Sequence, residues 1–377
     1  MKVFKIGLVG FGFIGKVHAN AYHSIPYCFR NSLVSAQVTA VLRPHPDKDR
    51  DLLSSFSIPT CTQNEETFWQ QDFDLIDICS PNAMHYEQAQ MAIERKIPIY
   101  CEKPLTKDID NARKLAKSAS TARILTHTAF TYRYYRGVQI AKDILSSNRL
   151  GSINHFRSQI FHSGYLDPER PTSWRLQKAI SGGGALTDLG IHFLDMIRYL
   201  LGDATWIQCQ TRTFIPTRPV SRGSTERLPV DVDDWALCNL GMKNGSIGTL
   251  EVSRVSGGDP NKSFIEIYGS RGSLKVGLEQ GNQVQLFDAK RNSWEILTAP
   301  PADISPNAYN PSLFPPGKQS LGLFMDGHIA AIMDCLHRLH EGKSSPANFN
   351  EALKAQELLH SAYTSAAQSG IKIPIQG

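Results

Sequence analysis

The fold is decided near the start of the chain, where residues 3–15 have the sequence VFKIGLVGFGFIG. The apolar run is typical of a buried strand, and the glycines after it precede a segment with helical spacing. Gly10 permits a tight turn, Gly12 lets the backbone approach a ligand, and Gly15 lets the helix pack closely on the strand. Free N–H groups at a helix start attract an anion, so the stretch predicts a site for a dinucleotide pyrophosphate. The residues expected to contact it are Gly10, Gly12, Phe13, Ile14 and Gly15.

Outward from this loop, short apolar runs alternate with helix-like segments as far as residue 130. This alternation is typical of a parallel sheet with helices on both faces. The clearest helices are predicted over 84–95 and 108–119. The six predicted strands are Val3–Val9, Val38–Leu42, a weak one near Pro59–Cys61, Leu75–Cys79, Pro98–Cys101 and Ile124–His127. We therefore expect a doubly wound, dinucleotide-binding domain over residues 1–130.

After a helix predicted over 137–148, the hydrophobic period changes to two. Gly, Asn and Asp separate the alternating segments, which favours a large, mostly antiparallel open sheet. The strands are predicted over 152–162, 205–215, 233–241, 246–255, 263–268, 273–276, 283–287 and 294–297. The chain is therefore predicted to be α/β, with a second, α+β domain over 131–377 for substrate binding and oligomerisation.

Two helices are expected within this second domain. His192–Leu201 ends at a glycine, and 349–369 has an alanine face that we expect to pack near the domain junction. Two proline-rich segments, 216–229 and 299–318, are predicted to be surface loops, with a lid or an intersubunit arm as the alternative.

Composition limits the class of protein. A chain of 377 residues exceeds the ~250–300 residues of one hydrophobic core, so two domains are expected. Lys and Arg number 40 against 35 Asp and Glu, and a net charge of +5 over this length is too dilute for a nucleic-acid surface. The seven cysteines form no CxxC pair, which indicates reduced thiols in a cytoplasmic compartment. No run reaches the ~18 apolar residues of a membrane span, and the longest approach is at the N-terminus. Lys2 and Lys5 before that apolar run leave a signal peptide as a less favoured alternative.

The choice between NAD and NADP depends on the end of the second strand. An acidic residue there would bind the ribose 2′-OH of NAD, but residues 41–45 have the sequence VLRPH. Arg43 is able to pair with a 2′-phosphate, helped by His45 or Lys48, or to stack on adenine; the alternative is a solvated loop cation. NADP is therefore admissible, NAD is not excluded, and the choice stays open.

Two further loops leave strands at the same edge of the predicted sheet. Residues 79–85, CSPNAMH, place Ser80, Pro81, Asn82 and His85 where the dinucleotide is expected, although helix capping explains Ser80 or Asn82 equally well. After the fifth strand, Glu102-Lys103-Pro104 brings Glu102 and Lys103 to the cofactor crevice.

A glycine turn joins a helix farther along, where residues 182–195 have the sequence GGGALTDLGIHFLD. Asp188 and His192 lie four residues apart and Asp195 three beyond, so all three are expected on one helical face. A capped helix with a satisfied histidine is the alternative.

Together the motifs GFGFIG, CSPNAMH, CEKPL and GGGALTDLGIHFLD, in this order, resemble the glucose-fructose oxidoreductase / inositol dehydrogenase / rhizopine-catabolism (Gfo/Idh/MocA) family of NAD(P)-dependent oxidoreductases. The resemblance runs from residue 7 to about 202. It implies a Rossmann domain followed by an open-sheet domain, and a homodimer or homotetramer formed through that sheet. It also implies that Lys103 matches the lysine of the family's EKP motif, His192 the catalytic histidine, and Asp188 the aspartate that helps to hold the substrate. Arg43 departs from inositol-dehydrogenase-like members, which carry an acid there.

The residue types suit the oxidation of a secondary alcohol. A base must accept the hydroxyl proton as hydride leaves carbon, and the imidazole of His192 titrates near neutral pH. Lys103 would stabilise the developing charge on the same oxygen, while Asp188 fixes a neighbouring hydroxyl or orients the imidazole. Structural packing is the alternative for the aromatic and arginine candidates. The predicted substrate residues are Tyr132, Arg133, Tyr165, Trp174, Arg175, Asp188 and His192.

We expect no metal site, because neither His192 with Asp195 nor His337 with His340 has a third ligand nearby in the sequence. The leading hypothesis is an NAD(P)-dependent dehydrogenase of a sugar, cyclic polyol or sugar derivative, with no nucleic-acid or membrane partner. A glycosidase that oxidises its sugar transiently is one alternative. A non-catalytic dinucleotide-binding regulatory protein is the other.

Overall fold

The computed structural model describes residues 1–258 and 262–375. Their contacts divide the chain into two compact units. The first unit comprises Met1–Thr131 with Pro311–Leu353, and the second comprises Tyr132–Asn310 with Lys354–Gly377. The chain therefore returns to the first unit after the second has been built, instead of crossing once near residue 130.

The first unit is built on a six-stranded parallel sheet in the order β3-β2-β1-β4-β5-β6. The strands are β1 (Lys2–Val9), β2 (Val34–Leu42), β3 (Thr60–Thr62), β4 (Leu75–Ile78), β5 (Ile99–Cys101) and β6 (Thr126–Thr128). The helices between them are α1 (Phe13–Cys28), α2 (Arg50–Ser55), α3 (Glu65–Trp69), α4 (His85–Glu94) and α5 (Ile109–Ala122). The predicted doubly wound sheet is confirmed, and β2 begins at Val34 rather than Val38.

The central strands of this sheet are buried because helices cover both faces. Ile6 and Leu8 of β1 and Leu75 and Ile78 of β4 are fully buried. Since β1 pairs with β4 and β4 with β5 in parallel register, the loops that follow these three strands leave the same edge of the sheet. The strand order reverses direction at β1, which is where open α/β sheets bind their ligands.

The second unit contains a nine-stranded sheet in the order β16-β15-β14-β13-β7-β12-β11-β8-β17, in which the β7–β12 pair is parallel and the other pairs are antiparallel. Its helices are α6 (Arg136–Ser146), α7 (Lys178–Ser181) and α8 (Ile191–Leu201). Its strands up to residue 297 are β7 (Ile153–Phe161), β8 (Ala204–Arg212), β9 (Thr217–Pro219), β10 (Arg227–Pro229), β11 (Trp235–Met242), β12 (Ile247–Ser253), β13 (Ser263–Gly269), β14 (Gly272–Gly277), β15 (Val284–Asp288) and β16 (Ser293–Leu297). The predicted mostly antiparallel sheet is confirmed.

The two proline-rich segments differ from each other. Within 216–229, β9 and β10 pair as a small antiparallel sheet, so the predicted surface loop is a short hairpin and is not irregular throughout. Its prolines end the paired strands, where proline is tolerated. Within 299–318 the backbone forms two short 3₁₀ turns, Pro311–Leu313 and Gly317–Gln319.

The last elements are α9 (Leu323–Glu341), α10 (Phe349–Ala367) and β17 (Ile373–Pro374). Helix α9 belongs to the first unit, where it packs against α1. Helix α10 begins in the first unit and continues in the second, and the side chain of Asn348 caps it by accepting hydrogen bonds from the N–H groups of Asn350 and Glu351. Among the described residues, no helix is both long and apolar enough to cross a bilayer.

Candidate functional site

The glycine loop of the first unit has the geometry of an anion cradle. Gly10 has a φ of +93°, and a Cβ there would lie 2.7 Å from the carbonyl oxygen of Cys79. A Cβ on Gly15 would lie 2.2 Å from the carbonyl oxygen of Gly10, whereas a Cβ on Gly12, the residue before α1, would meet no described atom within 4 Å. Packing thus requires glycine at positions 10 and 15, whereas Gly12 leaves its backbone open to a ligand. These residues fit the pyrophosphate of a bound dinucleotide.

The loop after β4 is tied to the loop after β5 by a buried histidine. The Nδ1 atom of His85 lies 2.9 Å from the carbonyl oxygen of Pro104, and its Nε2 atom lies 3.0 Å from that of Ser80. Burial lowers the pKa of His85. The hydroxyl of Ser80 donates to Gln88 at 2.6 Å, Pro81 is half-buried, and Asn82 is buried. His85 therefore fits a structural tie between two cofactor-side loops, and direct contact of these residues with the cofactor stays a prediction.

Arg43 is held by an acid that sequence reasoning missed. Its Nη1 atom donates to Asp49 Oδ2 at 3.0 Å and to the carbonyl oxygen of Lys48 at 3.2 Å, while its guanidinium lies 5.5 Å from the ring centre of Phe11. Lys16 also donates to Asp49, at 2.9 Å, and hydrogen bonds from Lys16 and Arg43 lower the pKa of Asp49. An acid is thus present in space although the strand end lacks one. Both cofactors remain compatible with this arrangement.

The Glu102-Lys103 pair begins immediately after β5. The backbone N–H of Lys103 donates to Glu102 Oε2 at 3.1 Å, and Glu102 Oε1 lies 3.3 Å from His18 Nε2. Burial alone would raise the pKa of Glu102, but His18 and the charge of Lys103 lower it to about 2. Glu102 is therefore a carboxylate, and it lies beside the predicted catalytic lysine.

Glu102 belongs to a buried cluster that the sequence analysis did not predict. We call it the buried histidine cluster, and its members are His18, Tyr22, Asp77, Cys79, Glu102 and His328. One signal was available, because Asp77 lies inside the apolar strand LIDI, and a buried carboxylate requires a partner. The other contacts join residues far apart in the sequence.

In the second unit, the glycine turn of residues 182–184 is anchored by Asp233. Its carboxylate accepts hydrogen bonds from the N–H groups of Gly184 at 2.9 Å and Leu186 at 2.8 Å, and from the hydroxyl of Tyr363 at 2.7 Å. A Cβ on Gly184 would lie 2.0 Å from the carbonyl oxygen of Asp233. The turn then continues into a π-helical segment, Leu186–Gly190, and into α8. Such π-helical segments recur at functional sites.

This anchored segment carries Asp188 and His192. The ring of His192 stacks on Tyr132, with ring centres 4.7 Å apart, and the carboxylate of Asp188 lies 3.9 Å from Arg175 Nε. Loss of hydration, and to a smaller extent the charge of Asp188, raise the pKa of Tyr132 to about 12. Arg175 in turn stacks on Trp174 at 4.4 Å. Within the second unit the structure therefore brings together Asp188, His192, Tyr132, Trp174 and Arg175.

The remaining predicted substrate residues lie elsewhere. Arg133 is buried and forms a bidentate pair with Asp195, so it fits a structural role better than the substrate contact predicted from the sequence. The same pair occupies the carboxylate of Asp195, and the expectation that Asp188, His192 and Asp195 share one helical face stays a prediction. Tyr165 packs on a small core of Leu176, Val230 and Val232, and its contact with substrate stays a prediction.

A glycine cradle at the reversal point of a parallel sheet, followed by a Glu-Lys pair at the same edge, defines a dinucleotide-binding oxidoreductase. Comparison with known families agrees. The model of an oxidoreductase family with an NAD-binding Rossmann fold matches residues 4–130, and that of the GFO/IDH/MocA C-terminal domain matches residues 138–275. The chain belongs to the GFO/IDH/MocA family of oxidoreductases.

Individual relatives narrow the reaction class. A levoglucosan dehydrogenase from Pseudarthrobacter phenanthrenivorans is 28% identical over 391 residues, covering 99% of both proteins. A D-apiose dehydrogenase from Rhizobium rhizogenes is 25% identical and covers 78% of this chain and 77% of its own length. The structure of levoglucosan dehydrogenase in complex with NADH and levoglucosan matches over 100% of each chain, with a TM-score of 0.90 and 28% identity. This chain is thus an NAD(P)-dependent oxidoreductase that acts on CH–OH groups.

Proposed function

We propose that the protein oxidises a secondary hydroxyl of a sugar, a cyclic polyol or a sugar derivative by hydride transfer to NAD(P). His192 is the general base, and Lys103 stabilises the substrate oxygen. The observation that carries the proposal is the anchored segment of the second unit, where Asp233 and Tyr363 fix the turn that leads to Asp188 and His192. A face held this rigidly suits the positioning of a proton acceptor.

The residues divide the reaction between them. The C–H bond of the carbinol breaks with its electron pair, and the nicotinamide ring supplies the hydride acceptor when the cofactor is bound. The hydroxyl proton passes to the imidazole of His192, and the ammonium of Lys103 hydrogen-bonds the same oxygen as its charge develops. Asp188 holds a neighbouring hydroxyl. The products are a ketone, the reduced cofactor and a proton.

The surroundings of Asp188 favour a polyhydroxylated ring as substrate. Trp174 and Tyr132 offer aromatic faces, and the guanidinium of Arg175 offers several hydrogen-bond donors near the carboxylate of Asp188. Aromatic faces bind the C–H side of such a ring while donors and acceptors bind its hydroxyls. Two of the relatives, a levoglucosan dehydrogenase and a D-apiose dehydrogenase, are named for compounds of the same class.

The test is a screen of inositols, aldoses, anhydrosugars and sugar acids with NAD and with NADP, followed by the near-ultraviolet absorbance of the reduced cofactor. With the best substrate, His192→Asn should reduce kcat by roughly 10²–10⁴-fold while NADH binding is retained. Lys103→Met should lower kcat/KM by a similar factor. The matched control is His155→Asn, because His155 is exposed and stacks on Tyr268 of the large sheet.

Other outcomes decide between the hypotheses. An unchanged rate in the His192→Asn variant would contradict the base assignment. Cleavage of a glycoside without net reduction of the cofactor would favour a glycosidase with transient oxidation. Tight cofactor binding with no turnover across the screen would favour a regulatory protein. The homodimer or homotetramer stays a prediction, which sedimentation analysis would check.

A further inference from the structure

The imidazole of His18 bridges two carboxylates in the interior of the first unit. Its Nδ1 atom lies 3.1 and 3.0 Å from the two carboxylate oxygens of Asp77, and its Nε2 atom lies 3.3 Å from Glu102 Oε1. The side chains of His18 and Asp77 have no accessible surface, and that of Glu102 is 8% exposed. Helix α1, β4 and the end of β5 each supply one member of this row.

This arrangement favours a protonated histidine, because carboxylates lie on both sides of the ring. A neutral imidazole carries one N–H group, so one of the two carboxylates would face a ring-nitrogen lone pair. An imidazolium donates from Nδ1 to Asp77 and places its positive charge 3.3 Å from Glu102 Oε1, where it attracts both carboxylates. Burial opposes that charge, but Asp77 raises the pKa of His18 well above its usual value. Burial opposes the charge of Glu102 as well, but His18 and Lys103 lower its pKa.

The other ionisable groups around His18 are neutral. On α1 and β4, the hydroxyl of Tyr22 donates to Asp77 at 3.0 Å, and burial raises the pKa values of Tyr22 and of the Cys79 thiol, which lies 3.1 Å from His18 Nδ1. On β5, burial raises the pKa of Tyr100. On α9, burial, followed by the charge of His18, lowers the pKa of His328 to about 3.

The charges then alternate in sign along the row: the Asp77 carboxylate, the His18 imidazolium, the Glu102 carboxylate and the Lys103 ammonium. Loss of the His18 proton would leave two buried anions next to each other, a state that buried carboxylates escape by binding a proton. A protonated Glu102 would no longer offer Lys103 an anion, and the N–H of Lys103 would lose a charged acceptor. The charge of His18 is therefore coupled to the surroundings of Lys103.

We propose that His18 is a positioning residue of the hydride-transfer site, whose imidazolium between Asp77 and Glu102 keeps Glu102 ionised and thereby holds Lys103 in its active placement. His18 itself touches neither substrate nor cofactor. The inference rests on the proposed role of Lys103 and adds a residue that acts through Glu102.

The first experiment measures the protonation of His18 without any substrate. In protein labelled with ¹⁵N-histidine, the signals that disappear in His18→Asn belong to His18. Both ring nitrogens of His18 should carry protons up to pH 8, where an ordinary histidine is neutral. A neutral tautomer at pH 7 would overturn the proposal. So would one firmly bound transition metal per chain in elemental analysis, because donor atoms of His18, Glu102 and His328 also lie within 4.8 Å of one another.

The second experiment measures pH profiles of kcat/KM. In the wild type, Glu102 stays ionised over the whole working range, so it adds no acidic limb. In His18→Asn, the buried Glu102 should bind a proton as the pH falls, which creates a new acidic limb near neutrality and lowers kcat roughly 10- to 100-fold at pH 6. NADH affinity should change less than threefold. In His18→Asn/Glu102→Gln the limb should disappear, because glutamine does not titrate.

Controls separate this role from damage to the core. His127→Asn changes an equally buried histidine whose Nδ1 contacts the hydroxyl of Ser345 instead of a carboxylate, so it should give no new limb. If Lys103→Met kept the wild-type rate, the proposed function would fail while the nitrogen signals still tested the charge of His18. If Lys103→Met lost activity but His18→Asn showed no limb, the inference alone would be wrong.

Discussion

The charged side chains next to the predicted catalytic residues differ in their exposure to solvent between the two units. In the first, Asp77 and His18 have no accessible surface, whereas in the second Asp188 and Arg175 are 33% and 35% exposed and lie 3.9 Å apart. A buried charge is tolerated only with a partner, so its protonation is fixed by the fold. A half-exposed charge keeps its water and can exchange it for a substrate. The buried row of Asp77, His18 and Glu102 is therefore expected to keep its charges, whereas Asp188 and Arg175 are accessible to a ligand.

The difference between buried and exposed charges predicts that removing a carboxylate destabilises the first unit more than the second. Asp77→Asn leaves the His18 imidazolium with one carboxylate and should lower the free energy of unfolding by about 3–5 kcal/mol. Asp188→Asn should lower it by about 0.5 kcal/mol or less, because solvent screens its contact with Arg175. Urea unfolding followed by circular dichroism measures both. Equal losses would contradict the distinction.

The pH dependence of stability sharpens the same point. The pKa of His18 is raised in the folded chain, so its contribution to stability is fully present below its unfolded pKa of about 6.5 and is lost as the pH rises through the folded pKa. Between the unfolded and the folded pKa of His18, the free energy of unfolding of the wild type should fall by up to about 1.4 kcal/mol per pH unit relative to that of His18→Asn. Unfolding curves of the two proteins between pH 6 and pH 10 give the difference. A constant difference would mean that His18 is neutral.

The smallest expected effect concerns Asp49, an acid of the first unit that is 29% exposed. Asp49→Asn removes the carboxylate that holds Arg43 and Lys16, so both cations gain freedom to pair with a 2′-phosphate. The affinity for NADPH should rise roughly two- to five-fold relative to NADH. Fluorescence titration with both cofactors measures the ratio. If the ratio of NADPH affinity to NADH affinity were the same in Asp49→Asn and the wild type, Arg43 would lie outside the adenosine site.

Strands and helices with a clear hydrophobic period or a capping residue are predicted closely from the sequence. Helix α9 has neither feature and is not predicted. Strands β1, β2 and β4 are largely apolar runs, and α5 begins at the residue after Asp108, which accepts the N–H of Asn111 as its cap. Helix α9 begins without a side-chain cap, and most of its residues between Asp326 and Leu336 are buried. A helix buried on all sides has no polar face, so its period is hidden.

The candidate site shows the same limit. Lys103, Asp188 and His192 each lie in a short motif, so the sequence is enough to predict them as catalytic candidates. The sequence predicts a substrate contact for Arg133, but in the structure Arg133 donates hydrogen bonds to Asp195, which lies far along the chain. His18 went unnoticed as a charged residue, since its partners Asp77 and Glu102 are supplied by different strands.

The sequence by itself determined the dinucleotide loop and the alternation of strands and helices, and it supplied the candidates for the catalytic side chains. These follow from sterics and hydrogen bonding among near neighbours, which a few consecutive residues are enough to specify. Only the tertiary structure decided which charges are buried together, because pairing His18 with Asp77 and Glu102 depends on how whole strands and helices pack. Protonation depends on desolvation and on distances of a few ångströms, and neither quantity exists until the chain has folded.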